Sequence, residues 1–81
     1  MHELSIAVSI VEIAEEELAL HGGGRIRAIY IELGALAGVA RDALDFAFGI
    51  ACEGTPAAGS RLVVNETDGE NLEVVRLEIE P

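Results

Sequence analysis

The sequence predicts an α+β domain, a three-stranded, mainly antiparallel sheet with two helices on one face, in the order helix, strand, helix, strand, strand. Three observations lead there. Ser5, Ser9, Glu12 and Glu16 recur at spacings of three and four, which is a helical period. Arg25 to Leu33 alternates instead at the two-residue period of a strand. Leu62 to Glu66 and Leu72 to Glu80 look like strands on either side of Asp68-Gly69, a dipeptide that favours a tight hairpin turn. A crossover helix between the first two strands and a hairpin between the last two leave one sheet face for both helices. The economical arrangement puts the C-terminal strand in the centre, antiparallel to both neighbours.

The first helix runs from Leu4 to Leu20, its apolar arc widened by Ala7, Val8, Val11 and Ala14, and His21 with Gly22-Gly23-Gly24 ends it through glycine's access to the left-handed conformation. In the following strand Ile29, Ile31 and Leu33 fall on one face, with Ile26, Ala28, Tyr30 and Glu32 on the other. Gly34 and Gly38 break it. Asp42 suits the first turn of a second helix whose Leu44, Ala47, Phe48 and Ala51 share one face, and Gly54-Thr55-Pro56 terminate it. In the last strand Val75, Leu77 and Ile79 mark the buried face and Arg76, Glu78 and Glu80 the wet one.

The 81 residues make one small domain, 1–81, in a size range where a single core is only marginally sufficient. Cys52 is the sole cysteine, which excludes an intramolecular disulfide and a cysteine-based zinc site within one chain. With 51% hydrophobic but only 4% aromatic residues, the core must be aliphatic, a poor surface for stacking nucleobases. The formal charge is −10, and all five basic residues are arginine. Such a field repels phosphate backbones and anionic lipids, so nucleic acid and membrane are disfavoured partners. The apolar stretch from Leu4 is interrupted by Ser5, Ser9 and Glu12 and lacks the positive flank of a signal peptide, which suggests a cytoplasmic protein. Oligomeric state stays open.

The opening Met1-His2-Glu3 carries the most specific chemistry. The Met1 amine, the His2 backbone nitrogen and a His2 imidazole nitrogen close two fused chelate rings around one metal, a planar nitrogen set suited to Ni(II) or Cu(II). A bulky second residue disfavours removal of the initiator methionine and so preserves the amine. From the residues alone, His2 reads also as a solvated terminal residue, since chain ends are commonly poorly ordered.

Met1-His2-Glu3-Leu4-Ser5-Ile6-Ala7, Glu32-Leu33-Gly34 before Gly38-Val39, Ala43-Leu44-Asp45-Phe46-Ala47-Phe48, Gly54-Thr55 and the closing Leu72 to Glu80 together resemble, in order, the HypA family of nickel metallochaperones. The resemblance implies a carrier that delivers nickel for maturation of [NiFe] hydrogenase, and in some organisms of urease, with a nickel-delivery GTPase and the hydrogenase large subunit as partners. It implies Met1, His2 and Glu3 as the metal site, with Glu3 supplying a backbone nitrogen or a carboxylate as fourth ligand or neighbour. The family carries two Cys-x-x-Cys pairs between its last two strands, forming a zinc-binding lobe. Here a short turn near 65–71 stands in its place, so no structural zinc is expected, whether the lobe was lost naturally or removed by engineering. The alternative reading is a metal-independent interaction module that retains the fold.

Other candidates have plainer explanations. His21 sits where an imidazolium complements a helix C-terminus, Cys52 resembles a small buried hydrophobe, and Glu15-Glu16-Glu17 is an ordinary solvated helix face. Gly22-Gly23-Gly24 lacks the Lys-Ser/Thr continuation of a phosphate loop. No Ser/His/Asp set or paired carboxylates stand out, so no enzyme is expected.

Overall fold

The structure is a computed structural model that describes residues 2–81. Its elements are α1 (Glu3–Leu20), β1 (Arg25–Gly34), α2 (Arg41–Cys52), β2 (Arg61–Thr67) and β3 (Leu72–Glu80), in the expected order. Along α1, Ala7, Ile10, Val11, Ala14 and Leu18 are buried, the spacing of a single helical stripe. The helix ends as glycine dictates. Gly22 takes φ +94°, its N–H donates to Ala19 O at 3.3 Å, and the Gly23 N–H donates to Leu18 O at 2.9 Å, satisfying carbonyls the last turn would otherwise strand. On α2 the buried residues are Leu44, Ala47, Phe48 and Cys52, while Ala51 is half-buried.

Strand order is β2-β1-β3, with β1 parallel to β2 and antiparallel to β3. The centre is therefore β1, and the expectation of a central C-terminal strand is corrected. No hairpin joins the last two strands either. The expected turn near 65–71 is shorter, because Asn65, Glu66 and Thr67 continue β2 opposite Glu32, Leu33 and Gly34. The four linking residues 68–71 cross the end of β1 to reach its far side. Four extended residues reach about 13 Å, and stepping over one strand needs roughly 9.6 Å, so a short connection does not force adjacent strands to pair. The crossing is fastened to the end of β1: Gly34 N–H donates to Asn71 O at 2.8 Å, Ala35 N–H to Thr67 O at 2.8 Å and Leu36 N–H to Gly69 O at 2.7 Å. A Cβ on Gly34 would meet the Gly69 carbonyl and lie 2.8 Å from Glu70 N, so only glycine lets the chain pass there.

Two register shifts in the β1–β3 pair decide which side chains face the helices. Ile26 lies opposite Ile79 but Ala28 opposite Glu78, so Arg27 is an extra residue in β1; Tyr30 lies opposite Arg76 but Ile31 opposite Val74, so Val75 is an extra residue in β3. Each bulge reverses the alternation. Ile26 consequently joins Ile29 and Ile31 in the core, contrary to the expected two-residue phase. Val75, expected inside, is exposed, and Val74 packs on the core with Leu72, Leu77 and Ile79. Leu62 and Val64 of β2 are half-buried and pack against the same core.

The other sheet face is open and polar. Tyr30 donates its hydroxyl to Glu78 Oε2 at 2.7 Å, Arg76 stacks its guanidinium 4.5 Å from the Tyr30 ring centre, and Arg61 reaches Glu78 Oε1 at 3.4 Å. The Tyr30 hydroxyl, followed by Arg61 and Arg76, holds the Glu78 carboxyl below its ordinary range.

Candidate metal centre

His2 is the N-cap of α1, at φ −87° and ψ 122°. Its carbonyl accepts the first helical bond, from Ile6 N–H at 3.2 Å. Its side chain makes no capping bond and is exposed, so the imidazole is free to turn. The backbone nitrogens of His2 and Glu3 precede the helical ladder, which leaves the first N–H groups without intrahelical acceptors. The backbone nitrogen that the expected chelate requires at His2 thus lies outside the helical ladder. Met1, the remaining predicted donor, lies outside the described residues.

Glu3 is committed differently. Its Oε2 accepts the backbone N–H of Ala40 at 3.2 Å, across 37 residues of sequence. Ala40 is the N-cap of α2 and has no side-chain oxygen, and Ala43 three residues later has no carboxylate, so α2 cannot build a capping box from its own sequence. Glu3 provides that function from the start of α1 and draws the two helix starts together. The Ala40 N–H, and then its own backbone N–H, lower the Glu3 carboxyl from its ordinary value of 4.5. Sequence reasoning missed this contact, because it joins positions 37 residues apart and the Ala40 N-cap is defined only by the fold.

The same end of the fold carries the crossing between β2 and β3. Ile6, one turn into α1, lines with Ala37, Val39, Glu70 and Leu72 a small cavity of about 150 Å³. The remaining ligand candidates sit elsewhere. His21 follows the last turn of α1, about 27 Å from its start by helical rise, and lies 3.7 Å from Glu17 Oε2. Cys52, at the far end of α2, is buried with its Sγ 3.9 Å from Ser60 Oγ, and burial raises its thiol above the usual range. Among the described residues no three His, Cys, Asp or Glu side chains gather to hold a metal.

A family model described as hydrogenase/urease nickel incorporation, metallochaperone, hypA matches residues 1–78. The hydrogenase maturation factor HypA of Chloroflexus aurantiacus is 56% identical over 66 residues, which covers 82% of this chain and 58% of that protein. HypA of Chlorobaculum tepidum is 46% identical over 69 residues, covering 85% and 61%, and the maturation factor HybF of Salmonella typhimurium is 43% identical over 65, covering 80% and 58%. The chain spans about 58% of the length of the curated relatives it matches. The solution structure of the Ni metallochaperone HypA from Helicobacter pylori aligns with TM-score 0.85 over 98% of this chain and 97% of that one, a likeness of fold at 15% identity. The family match over nearly the whole length, together with these relatives, places the chain in the HypA family of hydrogenase maturation factors.

Proposed function

We propose that this chain is a nickel-binding domain that carries Ni(II) at its first three residues and hands it on during [NiFe] hydrogenase maturation, without catalytic turnover. The observation that carries the reading is His2 itself: an exposed N-cap residue whose imidazole makes no capping bond and, among the described residues, no other hydrogen bond, and whose backbone nitrogen stands outside the helical ladder. Met1 supplies the amine and His2 its backbone and imidazole nitrogens, three donors in one plane, and Glu3, whose carboxylate is engaged by Ala40, is a neighbour of the metal, with the fourth position open to solvent or a partner's side chain. Planar nitrogen donors favour four-coordinate, low-spin Ni(II). Protons compete for the same nitrogens, so binding weakens as the solution is acidified. The nickel-delivery GTPase and the hydrogenase large subunit are the partners this role requires, in the cytoplasm.

The test is calorimetric titration of Ni(II) into protein that begins at Met1, beside His2→Ala and a version with one residue added ahead of Met1. We expect both changes to remove most of the binding and leave stability nearly untouched. Equal affinity in all three proteins would support the second reading, a metal-independent interaction module. That reading draws on exposed apolar side chains at Leu4 and Val8 of α1 and Phe46 and Ile50 of α2.

A further inference from the structure

Three of the five arginines meet at one cavity, although the chain as a whole is strongly acidic. Arg25 and Arg27 leave the start of β1, and Arg61 opens β2 beside them. With Ile26, Ala58, Gly59 and Glu78 they enclose about 280 Å³. Arg25 Nη2 donates to Ala58 O at 3.0 Å and holds the loop before β2 against β1. Arg27 reaches Glu80 Oε2 at 3.2 Å and Arg61 reaches Glu78 Oε1 at 3.4 Å. These contacts leave most of the donors unused, because each guanidinium carries five N–H groups. Glu78 divides its charge among Tyr30, Arg61 and Arg76, and ion pairs this exposed hold weakly. Neither of the other two arginines lines it: Arg41 lies beside Asp45, and Arg76 lies over Tyr30 and shares Glu78 with Arg61.

We propose that this cavity binds a phosphate group. Three guanidiniums against two carboxylates, Glu78 in the lining and Glu80 on Arg27, leave one positive charge, which attracts the charge of about −1.5 to −2 that a phosphate monoester carries at neutral pH. Guanidinium forks match phosphate oxygens, and three forks from two strands suit a tetrahedral group with three free oxygens better than a two-oxygen carboxylate. Gly59 places no side chain over the cavity. This site is independent of the nickel-carrying terminus.

The experiment follows the arginine Nε–Hε signals of the full chain by nitrogen-15 NMR while inorganic phosphate is added at constant ionic strength. Saturable shifts at Arg25, Arg27 and Arg61 are expected, with acetate at least about tenfold weaker because it offers fewer charge-assisted bonds. Glycerol phosphate in parallel separates free from esterified phosphate, and saturation by either supports the pocket. The paired change Arg27→Gln and Arg61→Gln should weaken phosphate binding by about tenfold or more. Arg41→Gln should leave it unchanged. Binding should also weaken below the second phosphate pKa of about 6. Linear, unsaturated shifts in the wild-type protein overturn the proposal, as does equal saturation by acetate or an equal loss with Arg41→Gln. The wild-type titration decides the matter even if a variant folds poorly.

Discussion

Glu3 divides its functions between side chain and backbone, which makes it the most informative single position. Its carboxylate joins α1 to the N-cap of α2, while its backbone nitrogen remains outside the helical ladder. Glu3→Ala should therefore cost stability, by a few degrees in Tm at neutral pH, while nickel affinity changes little. The pH dependence has a definite sign. A carboxyl whose folded pKa lies below its ordinary 4.5 stabilises the fold above that value and loses the contribution as pH falls through the lowered folded pKa. The Tm gap between wild type and Glu3→Ala should thus be full at neutral pH and close only below 4.5. Thermal melts across that range check it, and a gap that widens on acidification contradicts the contact. If Glu3→Ala instead abolishes nickel binding, the carboxylate is a ligand and leaves Ala40 when metal arrives.

At the level of elements, existence and order were legible in the sequence, whereas pairing was not. Helices and strands follow from local periodicity, so the first helix was expected to within one residue at its start. The strand order depends on where a four-residue connection goes, and nothing in Asp68-Gly69 distinguishes a hairpin from a crossing. The facing of Ile26 and Val75 was hidden for a related reason: a bulge shifts the alternation by one residue without altering composition. Gly34 tests the crossing. Gly34→Ala forces a Cβ into the Gly69 and Glu70 backbone and should destabilise by about 2–4 kcal/mol, a large fraction of a small domain's stability. Gly49→Ala is the contrast, since Gly49 lies inside α2 with nothing near its absent Cβ and no positive φ. That change should stabilise by about 0.4–1 kcal/mol through a less flexible unfolded chain and better helix propensity. Urea denaturation of both variants checks the pair, and a harmless Gly34→Ala rules out the crossing.

Across the whole molecule, the candidate site and the fold are loosely connected, and that explains why the proposed metal chemistry could be framed from three contiguous residues. A chelate made from contiguous residues needs no tertiary structure, whereas the Glu3–Ala40 contact and the arginine cavity join distant segments and could not be seen in advance. The aliphatic core spans both helices and all three strands, so folding should not require metal, and EDTA should leave the far-ultraviolet helix signal intact. The same reasoning sets the thermal effect of nickel. A ligand that binds only the native state, present at a hundred times its Kd, adds about 2.7 kcal/mol, enough to raise Tm by about 10 °C or more in a domain of this size. The amine, backbone and imidazole nitrogens of Met1 and His2 are as close together in the unfolded chain as in the folded one. Saturating Ni(II) binds both states and should move Tm by no more than a degree or two, far below that native-only expectation. Calorimetric scans with and without Ni(II), on protein that calorimetric titration shows to be loaded, make the comparison. A rise near 10 °C means that the fold itself contributes a ligand, and the contiguous chelate then has to give way to a site completed by residues outside the first three.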